Sequence, residues 1–300
     1  MTKPTWSSTT QMLGSSLIKE LRLPSSFKET MQGIYAPLIE LVLSQKQNDV
    51  LFISINGAQG TGKSTLTLFL KQLIEAEFQH RVAAFSLDDF YLTRTQREDL
   101  SQQVHPLFIT RGVPGTHDLD LLASSMESLL DGQGCSIPRF NKAIDDRYDK
   151  SDWLNVNKPV DIILFEGWCN NSPVQTAEEL IKPINELEAN EDKQGIWRHY
   201  CNDMLAQYHS RIFSRADMCI MLKAPDFEHI FEWRRLQEQK LREDARPGQH
   251  DRIMNDEQLK RFIQHYERIS RHTLETLPNT ADVVLPVAED HSITEIVDQT

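Results

Sequence analysis

The chain has 300 residues, 39% hydrophobic and 25% charged, the balance of an ordinary globular protein with enough length for one large or two small cores. With 44 acidic against 32 basic residues its net charge is −12, which speaks against nonspecific binding to nucleic acid or to an anionic membrane, since both need a basic footprint. No apolar run is long enough to cross a bilayer, and no charged start followed by an apolar core marks a secretory leader. Cys135, Cys169, Cys201 and Cys219 are scattered without a C-x-x-C pair, so neither a disulfide framework nor a thiolate metal site is expected, and the cytoplasm is the expected compartment.

Residues 1–46 read as a packed helical extension. Residues 15–23 and 27–43 look helical, the second with Met31, Ile34, Leu38 and Val42 on one face and Pro37 as a place for a kink. From residue 47 onward the pattern is that of one larger domain. Residues 51–55, Leu-Phe-Ile-Ser-Ile, form an apolar, β-branched run that predicts a buried strand. Residues 57–64 then read Gly-Ala-Gln-Gly-Thr-Gly-Lys-Ser, a complete G-x-x-x-x-G-K-[ST] phosphate-binding loop, and residues 65–77 carry apolar side chains at helical spacing.

That context is what the chemistry requires. Backbone amides of Gly57, Ala58, Gln59, Gly60, Thr61 and Gly62, with Thr65 at the helix start, would cradle phosphate oxygens at the positive end of the helix dipole. Lys63 would reach the β- and γ-phosphates, and the Ser64 hydroxyl would ligate Mg²⁺. The expected donor is a nucleoside triphosphate.

Four further short apolar runs predict strands at 82–86, 160–165, 218–222 and 283–287. Helical stretches alternate with them, giving an α/β fold with a parallel sheet. About 70 residues separate the second and third strands, too many for a plain crossover, so residues 87–159 read as an insert. It holds an amphipathic helix over 118–130, closed by Gly132, among polar segments rich in Arg, His, Asp and Asn. A second long connection, 168–216, contains an acidic stretch over 178–193 interrupted at Pro183. It ends in a stripe of Trp197, Tyr200, Cys201, Met204, Leu205, Tyr208 and Ile212 that reads as core packing.

Ligands of open α/β sheets sit beyond the carboxyl ends of the strands. The second strand ends in Ser86-Leu87-Asp88-Asp89-Phe90-Tyr91, placing two carboxylates where a γ-phosphate and its acceptor would meet. Glu166 closes the third strand as a metal-side carboxylate, whereas Asp161 at the strand start should be remote. Within the insert, Arg111, Thr116 and His117 belong to a turn-rich run entering the helix, with Thr116 a candidate helix cap, and Arg139, Lys142 and Arg147 could neutralise an anionic acceptor. After the fourth strand, residues about 226–250 carry Arg234, Arg235 and Arg242. They read either as a salt-bridged surface helix or as a lid whose arginines meet the transferring phosphoryl group.

Taken together, the phosphate loop, Asp88-Asp89-Phe90-Tyr91, Phe165-Glu166-Gly167 and the arginine-rich stretch after Ala224-Pro225 resemble the phosphoribulokinase/uridine kinase branch of P-loop kinases. Within it, Arg111-Gly112-x-Pro114-Gly115-Thr116-His117-Asp118, Pro138-Arg139-Phe140-x-Lys142 and Trp233-Arg234-x-x-Gln237-Glu238 look most like D-glycerate 3-kinases of plant and fungal type, over residues about 27–288. The resemblance implies a P-loop NTPase fold with a five-stranded parallel sheet in the order 2-3-1-4-5, ATP and Mg²⁺ as cofactors, and a small hydroxyl-bearing, anionic acceptor such as D-glycerate. It implies Asp88 as general base and Asp88 with Ser64 and Glu166 around the metal. Asp89, Tyr91, Arg111, Thr116, His117, Arg139 and Lys142 would surround the acceptor, with Arg234 or Arg235 on the transition state. Which of Asp88 and Asp89 is the base stays open. So do kinases for a nucleoside, pantothenate or a sugar, a P-loop ATPase without a small acceptor, and a nucleotide-binding module without turnover.

Overall fold

The computed structural model describes residues 6–47, 49–244 and 254–300, with the side chains of residues 237, 238 and 240–244 left out of the description. Besides a single α-helical turn at Phe27–Thr30, its α-helices are α1 (Ser8–Glu20), α2 (Ala36–Ser44), α3 (Lys63–Phe78), α4 (Arg94–Gln103), α5 (Leu119–Leu130), α6 (Glu186–Glu191), α7 (Ile196–Arg211), α8 (Phe227–Asp244) and α9 (Asp256–Thr276). The central sheet is made of β1 (Leu51–Gly57), β2 (Val82–Ser86), β3 (Ile162–Gly167), β4 (Met218–Lys223), β5 (Val283–Pro286) and β6 (Val297–Asp298). Across the sheet the order is β2-β3-β1-β4-β5-β6. The first five run parallel, and β6 pairs antiparallel with β5 through Val297 opposite Val284. The sheet is therefore mixed and six-stranded, not five-stranded and parallel. Two residues make up β6, too few for an apolar run to announce it.

Every residue of β1 and β3 is buried, as strands covered on both faces must be. Their side chains alternate between two cores. Leu51, Ile53 and Ile55 point to a core shared with α1, α2 and α3, while Phe52 joins Phe85 and Phe165 in a second core against the insert and α7. The register sets Glu166 abreast of Ile55 on one neighbour and Ser86 on the other, so the strand-end groups arrive at one level.

Residues 6–44 are part of the first core through Trp6, Leu17, Ile18, Met31, Tyr35, Leu38, Ile39 and Val42. Pro37 does not break the helical run; it sits in the first turn of α2, where its missing N–H costs nothing, after a π turn at Met31–Tyr35. The far end of α3 is tied to α1: Glu77 accepts from the Ser7 hydroxyl at 2.7 Å and from the Thr10 hydroxyl at 2.5 Å. The acidic stretch before α7 also turns inward. Glu188 and Asp192 are buried and pair with Arg268 at 2.6 Å and Arg198 at 2.9 Å, tying this connection to α9 and α7. No helix among the described residues is long and apolar enough to cross a membrane.

Candidate active site

The phosphate loop follows β1 directly and hands over to α3 at Lys63. Gly62 occupies the cap position in the left-handed region (φ 93°), and no side chain caps the helix. Its first-turn N–H groups are thus left for an anion, with the helix dipole behind them. Lys63 donates to the Ala58 carbonyl at 3.0 Å, and burial lowers its pKa against the pull of Glu166 and Asp88. The Ser64 hydroxyl donates to Glu166 Oε1 at 2.8 Å. An alcohol and a buried carboxylate touching at the end of a phosphate loop are a donor pair of the kind that could hold Mg²⁺, which takes one or two protein ligands and fills its shell with phosphate and water. No group of three or more His, Cys, Asp or Glu positioned to hold a metal occurs among the described residues.

Asp88 and Asp89 form a 3₁₀ turn, Leu87–Phe90, that caps itself: Asp89 Oδ2 accepts the Ser86 N–H at 3.1 Å, and the Ser86 hydroxyl accepts the Asp88 N–H at 3.2 Å. The two carboxyls are thereby placed in different environments. Burial alone would raise the pKa of Asp88, but the Lys142 ammonium at 2.6 Å and the Tyr91 hydroxyl at 2.7 Å outweigh it and hold the group at about 2. Burial, then repulsion from Asp88 and Glu166, lifts Asp89 to about 6 despite the Ser86 N–H. Asp88 is ionised and oriented; Asp89 titrates within reach of neutrality.

The turn over residues 111–117 is held from all sides by aromatic side chains. Trp168 Nε1–H donates to the Gly112 carbonyl at 2.8 Å, and the Tyr266 hydroxyl donates to the Arg111 carbonyl at 3.1 Å. A Cβ on Gly112 would lie 1.9 Å from that hydroxyl, and its φ is 123°, so only glycine fits. Thr116 is fully buried, with its hydroxyl donating to Val113 O at 2.7 Å and accepting from Gly112 N–H at 2.9 Å. It therefore shapes the turn and has no face for an acceptor. Nor does it cap the following helix, a role taken by the Asp118 carboxylate, which accepts from Leu121 N–H.

His117 is 3% exposed and stacks on Tyr91 with ring centroids 4.8 Å apart. Its Nδ1 lies 2.8 Å from the Tyr208 hydroxyl, which also accepts the Gly115 N–H at 2.9 Å. Tyr208 thus has its proton to give to Nδ1, which assigns the hydrogen of His117 to Nε2. That Nε2 is buried and without a protein partner. Burial holds the His117 pKa at about 3, against the attraction of Asp88. The outcome is a neutral, preset N–H donor near the Asp88 carboxylate.

Of the insert cations, Arg111 pairs with Asp145 and lies over the Phe140 ring, its charge 5.5 Å from the centroid. Arg139 is exposed and acts electrostatically on Asp89, and Lys142 holds Asp88. Arg147 is committed to the Tyr91 carbonyl at 2.8 Å and to Asp118 at 3.2 Å, which makes it scaffold. Asp161, at the remote end of β3, binds Arg81. On α8 the two lid candidates diverge. Arg234 lies 5.9 Å over Phe262 and acts on Tyr266, which touches the 111–117 turn, whereas Arg235 is turned outward onto Glu232 at 2.7 Å. The Arg242 side chain and the remainder of the expected lid, residues 245–250, lie outside the described residues.

Sequence patterns alone did not single out Tyr208, Trp168, Tyr266 or Asp145 as parts of this site. Tyr208 belonged to a stripe that packs as core, which it does, but its hydroxyl leaves the core for the turn. The one available signal was Trp168, which follows Glu166-Gly167 directly.

A glycine loop between a buried strand and an uncapped helix, facing strand-end carboxylates and an inserted set of cations, defines an ATP-dependent P-loop kinase. The model described as "Phosphoribulokinase / Uridine kinase family" matches residues 52–174. An uncharacterized kinase of Schizosaccharomyces pombe is 31% identical over 71% of this chain and 77% of its own length. The chain belongs to the phosphoribulokinase/uridine kinase family. It is 30% identical to the chloroplastic D-glycerate 3-kinase of Arabidopsis thaliana over 87% of this chain and 58% of that one. Among solved structures, D-glycerate 3-kinase from Cryptococcus neoformans superposes with a TM-score of 0.71 at 25% identity, covering 88% of this chain and 99% of the other.

Proposed function

We propose that the protein transfers the γ-phosphoryl group of ATP to D-glycerate, giving ADP and 3-phospho-D-glycerate. The observation that carries the reading is the convergence of Lys63, the Ser64–Glu166 contact and the Asp88–Lys142–Tyr91 cluster at the carboxyl ends of β1, β2 and β3. Likeness to plant and fungal D-glycerate 3-kinases supports the choice of acceptor.

In this reading the loop amides and Lys63 hold the β- and γ-phosphates. Ser64 and Glu166, with Asp88 close by, would hold Mg²⁺, which neutralises phosphate charge when bound. Asp88 accepts the hydrogen bond of the attacking hydroxyl. The acceptor oxygen forms its bond to phosphorus as the bond to the ADP oxygen breaks, and the hydroxyl proton passes to Asp88. A carboxylate held near pKa 2 is a weak base. Its contribution is therefore mostly orientation, which suits a loose transition state in which proton loss comes late.

Arg111, Arg139 and the His117 Nε2–H are the groups for the acceptor carboxylate and second hydroxyl. Tyr91 and Lys142 fix Asp88, and Asp89 supports the turn. Arg234 is the lid cation for the transition state; Arg235, paired outward, is not. The cytoplasm is the proposed compartment, in which Cys135, Cys169, Cys201 and Cys219 stay as the free thiols they are here.

The test is ATP consumption by the purified protein against a panel of hydroxy acids, nucleosides, pantothenate and sugars. Stimulation by D-glycerate, with 3-phosphoglycerate as product, is the expected result. Hydrolysis independent of any acceptor would sink every kinase version of the reading.

A further inference from the structure

Three elements far apart in the chain meet at Gly60 of the phosphate loop. His291, in the turn that follows β5, has its Nδ1 3.1 Å from the Gly60 carbonyl oxygen. A carbonyl can only accept, so Nδ1 carries the hydrogen and donates it. Trp233 of α8 lies against the same glycine: a Cβ on Gly60 would come within 2.9 Å of Trp233 Cβ. The rings of Trp233 and His291 complete the contact, with centroids 4.4 Å apart. We propose that His291 is a positioning residue for phosphoryl transfer: by clasping the Gly60 carbonyl and the Trp233 ring it fixes α8, and with it Arg234, against the phosphate loop. The inference rests on the proposed kinase reading and on the place given there to Arg234.

The joint is built from both sides. The turn is closed on itself: His291 N–H donates to Ala288 O at 2.9 Å and Ala288 N–H to Ser292 O at 2.8 Å. The Asp290 carboxylate accepts from Ser292 N–H at 3.0 Å and from the Ser292 hydroxyl at 2.6 Å. This turn holds α8 at two points one helical turn apart. Trp233 Nε1–H donates to the Glu289 carbonyl at 3.1 Å. His229, whose Nδ1 lies 2.7 Å from Asp226, presents its Nε2 to the Glu289 carboxylate at 3.4 Å. Trp233 is 3% exposed and shares the first core with Phe227 and Ile230, so it has no room to swing aside.

Helix geometry carries the hold from Trp233 to its neighbour. Successive side chains leave a helix about 100° apart, so a helix pinned at His229 and Trp233 has one direction for Arg234. That direction takes the Arg234 guanidinium to 5.9 Å from the Phe262 ring of α9, while Arg235 turns out onto Glu232. The Nδ1–H bond ties this assembly to the loop itself, whereas Trp233 meets Gly60 by packing, which does not fix direction. The clasp takes hold of a carbonyl and leaves the loop amides as the chain sets them, so it acts on the lid and not on donor affinity.

The test is steady-state kinetics with MgATP and D-glycerate, paired with calorimetry of MgATP binding, on full-length wild type, His291→Phe and His291→Asn. Phenylalanine keeps a ring beside Trp233 and has no donor. Asparagine suits the left-handed backbone at φ 65° and carries an amide nitrogen where Nδ1 stands, without the ring. The expected result is a kcat about tenfold lower in His291→Phe, with MgATP affinity within about twofold of wild type, and recovery of kcat to within about twofold in His291→Asn. His291→Phe added to Arg234→Ala should cost less than about twofold beyond Arg234→Ala alone, because both act through one group. An unchanged kcat in His291→Phe, an equal loss in both variants, a parallel loss of MgATP affinity, or losses that multiply in the double variant would overturn this assignment alone. Ring-nitrogen NMR of the wild type should find a proton on His291 Nδ1, and a bare Nδ1 would overturn it without any substitution. A wild-type protein with no D-glycerate-dependent turnover would overturn the proposed function and this inference with it.

Discussion

At the proposed donor end the groups available to a ligand are backbone amides at an uncapped helix start, held ready by a loop of small residues. At the acceptor end they are side chains already occupied with one another: Arg97 and Arg111 with Asp145, Lys142 with Asp88, Arg147 with Asp118. An amide cradle is preorganised by chain geometry and needs no partner. A cluster of charges is preorganised only by pairing, and each pair then resists the ligand as well as positioning it. The donor half is therefore tolerant of its surroundings, and the acceptor half depends on contacts spread across the insert.

The largest expected effect of a single change lies where the two halves meet. Asp88→Asn should reduce kcat by about 10³-fold while MgATP binding stays near wild type, because it removes the carboxylate proposed to orient the acceptor and leaves the loop untouched. Steady-state kinetics paired with calorimetry checks this, and a rate within a few-fold of wild type would put the base elsewhere. Next is Asp145→Asn, which keeps a residue suited to the left-handed turn at φ 58° but strips the charge facing the 1%-exposed Arg97. About 2 kcal/mol of stability should be lost in urea unfolding, concentrated in the insert. Full retention would show that the carbonyls of Leu92, Ile109 and Asp145 alone satisfy Arg97.

Tyr208→Phe tests the preset donor. Without the hydroxyl, Gly115 N–H and His117 Nδ1 both lose a partner, and the imidazole is free to change tautomer. The acceptor KM should rise about tenfold with the MgATP KM unmoved; a shift in both would mean the turn itself had collapsed.

The next effect is one of pH. Asp89 has a folded pKa of about 6, above its unfolded value, so the native state binds the extra proton between about pH 4 and 6 and loses that advantage as pH rises through 6. Asp89→Asn keeps an oxygen for Ser86 N–H and removes the charge. It should add about 1 kcal/mol at pH 7.5 and nothing at pH 4, read from unfolding midpoints. His117 works in the other direction. Its folded pKa of about 3 lies below the ordinary value, so stability falls as pH drops from 6.5 towards 3. Smallest of all, Arg235→Ala should change kcat less than twofold, as fits an exposed i, i+3 pair with Glu232, while Arg234→Ala should lower it markedly.

The contrast between the halves also sets how much the residues reveal before folding. The phosphate loop is contiguous, and its glycines, lysine and serine sit in one fixed order between a strand and a helix, so its fold and role are legible from eight letters. The strands of the parallel core were equally legible, because β1, β3 and β4 are buried on both faces and so read as continuous apolar runs. The acceptor half was legible in content and not in connection. Arg111, His117 and Lys142 stand out as polar residues in a long insert, yet the partners that decide their roles come from far along the chain. Tyr208 arrives from 91 residues beyond His117, and Lys142 reaches back 54 residues to Asp88. Thr116 shows the cost of reading residues singly: a hydroxyl in a turn-rich run is as good a scaffold as a ligand, and only Gly112 and Val113 decide which.

The pairing of Arg111 with Asp145 makes the insert behave as an ion exchanger. A carboxylate substrate that reaches Arg111 does not add a charge to an open cation; it takes the place of one the protein already carries, and Asp145 keeps its second hold on Arg97 meanwhile. Exchange of one carboxylate for another leaves the local charge balance little changed, so binding of the proposed anionic acceptor should respond weakly to ionic strength although the protein bears a net charge of −12. Discrimination then falls on shape and on the hydroxyl, the features in which one small acid differs from the next.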